Sequence, residues 1–247
     1  MLQMKSIPLS LGLLSLCLLL HSANCVTGPF LGHRCFSQAT YIARSPYASN
    51  LNELFHFLST SLVPPTGFGK GSVGQGQSQV NGLALCQGDV STANCKSCVT
   101  EASKELHRHC PNRKGAIIWF DYCLVKYSNV NFFGNIDKAN KFHLFNVKGV
   151  SNPVAFNKKV NELLSILSNV ASGSTRKLYA TGELKIGVST TLYGLAQCIR
   201  DISRVECNRC LDIAISELPK CCSGKRGART VGGSCSVRYE LYPFVGT

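Results

Sequence analysis

Acidic residues are scarce in this sequence. Asp and Glu together number 13 against 26 Lys and Arg, giving a formal charge of +13. Few carboxylates are therefore free for paired acid–base chemistry. Histidine is thin as well, with none after His143, so the second half of the chain cannot run a His-dependent mechanism alone. No Ser/His/Asp or Cys/His constellation stands out, and an enzyme is not expected. No Asn-x-Ser/Thr sequon occurs, which argues against N-glycosylation. Lys and Arg never form a run of five or six, and no nucleic-acid motif is present. The excess positive charge reads as that of a generally basic exported protein, and nucleic acid is not an expected partner.

Long apolar runs are also missing, apart from one near the start. Lys5 followed by Leu11 to Leu20 (LGLLSLCLLL) forms a basic start and an apolar core too short to span a bilayer comfortably. Residues 1–25 are read as a secretory signal with cleavage after Cys25, and no membrane anchor follows. The mature chain is expected to be exported and soluble.

Cysteine is plentiful instead. Of 14, Cys17 and Cys25 leave with the signal, and an even number remains. In an oxidising compartment this is a disulfide framework. Cys207 and Cys210, spaced as Cys-x2-Cys, could in principle grip zinc or form a redox pair. Zinc sites need deprotonated thiolates, and a thioredoxin-like pair needs a βαβ context that is absent. The two are read as anchors of separate disulfides, with no metal and no cofactor.

Self-comparison reveals a duplication. Cys86, Cys95, Cys98, Cys110 and Cys123 return as Cys198, Cys207, Cys210, Cys222 and Cys235, each 112 residues on. NGLALC returns as YGLAQC, and Tyr127 as Tyr239. Two copies of one module fill the mature chain, with boundaries placed at 28–135 and 140–247. Leu51, Leu54, Leu58 and Leu62 share one face of a helix, as do Val160, Leu163, Leu167 and Val170. A second helix carries Cys98, Ala102 and Leu106, or Cys210, Ala214 and Leu218 in copy two. Asp89 and Ser91, with Asp201 and Ser203, are cap candidates before it. GAIIWFDYCLVKY and GARTVGGSCSVRYELY read as strands. Gly69, Gly71 and Gly74 fit a dinucleotide-loop pattern, but without a strand–helix context they suit a hairpin. His107 and His109 beside Cys110 read as surface histidines near a helix end, and Asp201 with Glu206 as a solvated pair. Each module is α+β, with two helices against an antiparallel sheet.

Tandem Cys-x8-Cys-x2-Cys modules behind a signal peptide, ending in CSVRYELYPF, resemble the plant cysteine-rich repeat secretory proteins. Their module is the ginkbilobin-homologous domain, which also occurs in receptor-like kinase ectodomains and plasmodesmata-located proteins. The resemblance implies two helices packed on a five-stranded antiparallel sheet in each module. It further implies the bridges Cys35–Cys110, Cys86–Cys95, Cys98–Cys123, Cys198–Cys207 and Cys210–Cys235. Copy two departs from the pattern: the cysteine expected near Phe145 is absent, which leaves Cys222 beside Cys221. A vicinal bridge, a free thiol pair and an intermolecular bridge remain open, with the even count favouring the first.

Ginkbilobin, the namesake of the family, is an antifungal mannose-binding lectin. Its sugar contacts fall on Phe36, Ile117 and Ser128 in copy one, where all three are lost. In copy two they fall on Asn146, Arg229 and Glu240. Those groups suit sugar hydroxyls: Glu240 accepts, Arg229 donates in a fixed fork and Asn146 does both. The competing reading of Arg229 and Glu240 is a cross-strand ion pair. The resemblance implies a secreted, apoplastic protein that binds mannose-containing glycans or fungal wall polysaccharide in antifungal defence. An extracellular receptor or peptide is the alternative partner, and a membrane-active basic protein is a third class.

Overall fold

The computed structural model describes residues 27–173 and 176–245. The signal peptide expected over 1–25, with Cys17 and Cys25, lies outside the described residues. In the first module β1 (Phe30–Arg34) is followed by α1 (Pro46–Phe57), β2 (Phe68–Val73) and β3 (Val80–Cys86). Then come α2 (Thr92–His109), β4 (Gly115–Phe120) and β5 (Cys123–Ser128). The second repeats the order with β6 (Lys141–Phe145), α3 (Pro153–Gly173), β7 (Tyr179–Lys185) and β8 (Thr191–Cys198). It closes with α4 (Arg204–Cys222), β9 (Gly227–Gly232) and β10 (Cys235–Glu240). Each module is α+β, with its helices on one face of a five-stranded antiparallel sheet. The strand orders are β1-β4-β5-β3-β2 and β6-β9-β10-β8-β7.

Local chemistry sets the helix starts. Ser91 and Ser203 cap α2 and α4 by accepting from the backbone N–H of Asn94 and Glu206. Glu206 returns the bond to Ser203, which completes a capping box. Asp89 and Asp201 are therefore not the caps, and Glu206 is not part of a solvated pair. Asp89 accepts from Gln87 Nε2, and Asp201 accepts from the Gly134 N–H across the module boundary. The predicted apolar faces need two corrections. A π-helical turn at Leu58–Leu62 rotates Leu62 outward, 39% exposed, and turns Val63 into the core. In α3, Ala171 is buried where Val170 was expected, and Val170 is 41% exposed. His107 is not a surface residue either: it is half-buried edge-on to Phe55, and burial holds its pKa below the usual histidine range.

Gly69 and Gly71 lie in the β2–β3 hairpin. A Cβ at Gly69 would overlap Leu62, so glycine there permits close packing on the π turn.

Among the described residues six disulfides form: Cys35–Cys110, Cys86–Cys95, Cys98–Cys123, Cys198–Cys207, Cys210–Cys235 and Cys221–Cys222. Register explains the odd one. His33 pairs with Ile118 and His143 with Thr230, so Phe145 stands where module one has Cys35. Cys222 thus loses its strand partner and bonds to its neighbour. A bridge between adjacent residues constrains the unfolded chain very little. Converting Cys221 and Cys222 together to alanine is expected to cost below about 1.5 kcal/mol, against about 3 kcal/mol for the Cys98–Cys123 pair. Urea denaturation of the two variants checks the difference.

The two sheets pack face to face. Along β4, Ala116, Ile118 and Phe120 join module one's own core, while Ile117 and Trp119 join a cluster shared with module two. Leu83, Leu85 and Leu124 do the same on β3 and β5. Sheet one is covered on both sides, by its helices and by the second module, so its central strands are buried throughout. The layers run helices, sheet, sheet, helices. Trp119 crosses the junction: its Nε1–H donates to the Gly232 carbonyl at 3.0 Å and its ring meets Phe142 edge-on at 5.1 Å. Gln197 Nε2 donates to the Cys86 carbonyl at 3.0 Å, and Lys126 pairs with Asp137 of the connecting segment at 2.7 Å.

Candidate functional site

Strand pairing brings the three predicted sugar contacts to one sheet face. The Asn146 N–H donates to the Gly227 carbonyl at 2.8 Å, and Gly227 pairs with Glu240. Asn146, Gly227 and Glu240 therefore form one row across the end of β6, β9 and β10. Arg229 lies two residues along β9 from Gly227 and so shares its face. A Cβ at position 227 would overlap the Glu240 carboxylate, which lies across the strand there. Glycine lets the carboxylate keep that position; a larger residue would displace it.

This face looks towards module one. Asp121, just past the end of β4, reaches across and its Oδ1 accepts from Arg229 Nη1. The same oxygen lies 3.5 Å from Arg238 Nη1. Arg238 in turn donates from Nε to Glu240 Oε1 at 3.1 Å, stacks on Phe244 at 4.1 Å and donates from Nη2 to the Tyr242 hydroxyl at 3.2 Å. Arg229 and Glu240 do not form the cross-strand pair that sequence spacing suggested. Register places Arg229 opposite Arg238 instead, and the second arginine takes the glutamate. Asp121 relieves the repulsion between the two guanidinium groups.

Burial sets the electrostatics. Glu240 is 8% exposed. That burial raises its pKa above the usual carboxylate range, and the nearby Arg238 and Arg229 charges only partly oppose the rise. Asn146 is half-buried; its Oδ1 accepts from the Lys148 N–H at 2.9 Å, and its Nδ2 makes no hydrogen bond to a described residue. A cleft of about 80 Å³ runs between the sheets, lined from both modules by Trp119, Asp121, Tyr122, Gln197, Arg229 and Arg238; of the three predicted sugar contacts only Arg229 lines it. The arrangement holds fixed donors and acceptors in a partly dry setting, which suits recognition of polar hydroxyls. The matching positions of module one, Phe36, Ile117 and Ser128, carry no such set.

Asp121 and Arg238 are the site residues that repeat analysis missed. A signal was present for both. Asp121 breaks off the apolar run GAIIWF at its end, and Arg238 sits in the CSVRYE strand between the two residues singled out. The sequence marked these segments as strands but could not say what covered each face.

Fold and cleft together define a tandem-module, disulfide-stapled α+β protein whose sheets meet through an apolar junction edged by a charged cluster. The salt stress response/antifungal family matches residues 34–130 and 146–242, and the chain belongs to it. It is 60% identical over 245 residues to an antimicrobial ginkbilobin-2-like protein of Castanea crenata, covering 99% of each chain. It is 51% identical over 220 residues to cysteine-rich repeat secretory protein 38 of Arabidopsis thaliana, covering 88% of this chain and 86% of the relative. The tandem DUF26 ectodomain of the Arabidopsis thaliana cysteine-rich receptor-like protein PDLP8 superposes with a TM-score of 0.75 at 25% identity, covering 87% of this chain and 99% of that one. Several relatives are named as secretory proteins. Among the described residues no helix is long and apolar enough to cross a membrane.

Proposed function

We propose that the chain is an apoplastic defence protein that acts by binding rather than catalysis, and that its ligand is a mannose-type glycan. The ligand is held by Asn146, Arg229 and Glu240, with Asp121 of module one aligning the arginine. The observation that carries this reading is that strand pairing puts Asn146, Arg229 and Glu240 on one sheet face. Their chemistry covers both donation to and acceptance from sugar hydroxyls. The Castanea crenata relative named as antimicrobial supports the defence role.

A metal-free site of this kind is weak for a single sugar, so useful retention comes from polyvalent glycan. The protein is expected to be held on immobilised mannan and released by free mannose. Retention should also weaken as pH falls through the raised pKa of Glu240, because the protonated carboxyl loses acceptor capacity. Retention that is indifferent to free mannose would reject the sugar reading.

One observation favours a second reading, in which a receptor or peptide is bound without sugar specificity. Asp121 already engages Arg229, and Arg238 engages Glu240, so both charges are satisfied without a ligand. In that case the cluster fixes how the modules dock, and the partner meets the combined surface.

A further inference from the structure

Two stretches of the second module, 145–159 and 219–228, contain no acidic residue. They carry Lys148, Lys158, Lys159, Lys220, Lys225 and Arg226. The fold stitches them together at one end of the module. Gly149 bridges to Lys225, the Val150 N–H donates to the Gly224 carbonyl at 2.8 Å, and the Arg226 N–H donates to the Lys148 carbonyl at 3.0 Å. Asn157 Nδ2 donates to Ser223 Oγ at 2.8 Å, which ties in the start of α3. Lys159 pairs with Glu162 at 2.8 Å. Among the described residues, no carboxylate pairs with the other five cations.

The same end carries bare apolar side chains. Val147 is 86% exposed, Val154 82% and Phe145 50%. The Lys225 ammonium sits over the Phe145 ring at 5.3 Å. A polyanion such as an acidic polysaccharide would satisfy the cations but leave these side chains in water. A lipid surface satisfies both, because anionic headgroups meet the cations while the apolar groups enter the boundary with the acyl chains.

We propose that this end of the second module docks on an anionic lipid bilayer, with Val147, Val154 and Phe145 entering the headgroup layer and Lys148, Lys225 and Arg226 contacting lipid anions. The surface adjoins Asn146, whose Oδ1 accepts from the Lys148 N–H, but it does not include Glu240, so Glu240→Ala separates the loss of glycan binding from the loss of lipid docking.

Co-sedimentation of the oxidised mature protein with phosphatidylcholine vesicles holding about 30 mol % phosphatidylserine tests the proposal, beside vesicles of phosphatidylcholine alone. Binding is expected only to the anionic vesicles. Joint replacement Lys148→Gln, Lys225→Gln and Arg226→Gln is expected to weaken it roughly 100-fold, at about fivefold per cation. Val147→Ser with Val154→Ser, which leaves the charge unchanged, is expected to weaken it roughly tenfold. Glu240→Ala should bind vesicles as the wild type does. Failure to sediment with anionic vesicles overturns the proposal, even if the protein binds polygalacturonate. So does a valine variant that partitions like the wild type while keeping its unfolding midpoint.

Discussion

Trp119→Ala is expected to destabilise the protein by about 3–5 kcal/mol, the cost of emptying a large buried aromatic site. Trp119 belongs to the first module but is 2% exposed because the second module covers it. The loss combines apolar burial, the edge contact with Phe142 and the hydrogen bond to the Gly232 carbonyl. Trp119→Phe keeps most of the burial and gives up the hydrogen bond, so about 1–2 kcal/mol is expected. Because the two modules share a cluster through this residue, scanning calorimetry of the wild type should show one transition, and the alanine variant two. A loss under about 1 kcal/mol for the alanine variant would mean that the sheets are not docked as described.

Asp137→Asn should be nearly as costly, at about 3 kcal/mol, because it strands Lys126 as an uncompensated buried charge. Both side chains are 7% exposed and lie 2.7 Å apart. Asp137 also accepts from the N–H groups of Ala139 and Asn140 and from Asn140 Nδ2, so it organises the connecting segment as well. Its pH behaviour follows from a competition. Burial pushes the carboxyl pKa up, but the Lys126 hydrogen bond and charge and the Asn140 bonds outweigh it, so the net pKa is lowered. A carboxylate with a lowered folded-state pKa contributes fully above the ordinary aspartate range. That contribution is lost as pH falls through the lowered value. Denaturation midpoints measured from neutral to strongly acidic pH should therefore fall less steeply for Asp137→Asn than for the wild type. Adding Lys126→Met to Asp137→Asn should recover most of the loss, since no charge then remains buried. Equal acid sensitivity in the two proteins would show that the pair is not formed.

The module repeat was legible because it depends on spacing: a shift of 112 residues aligns five cysteines. The disulfide pairs and the five-stranded sheet followed from the family resemblance, and the strand order only from the structure. Leu51, Leu54 and Leu58 lie on the buried side of α1 and the start of the π turn, as period 3.6 requires. Leu62 escaped that logic because the turn before it is π-helical, and nothing in LSTSL signals a change of period. The docking of the sheets left a trace that alternation rules could have caught. GAIIWF is apolar without interruption, the mark of a strand covered on both faces, whereas its counterpart GARTVG is not. Residue types alone suggested Arg229 with Glu240, but the partner of Arg229 comes from the other module, and no local pattern encodes that. With its marker cysteine gone, Asn146 can be placed from sequence only by aligning backwards from Phe156, and the strand register agrees, with Phe145 standing in the place of Cys35.

Whether the face carrying Asn146, Arg229 and Glu240 binds glycan is decided by calorimetric titration of the oxidised protein with a mannose oligosaccharide. Glu240→Ala is titrated alongside, with its fold confirmed by an unchanged far-ultraviolet spectrum. Binding heat is expected in the wild type and none in the variant. Heat in neither protein, or equal heat in both, would contradict glycan binding at this face. Asp121, Arg229, Arg238 and Glu240 would then be the lock that holds two modules together.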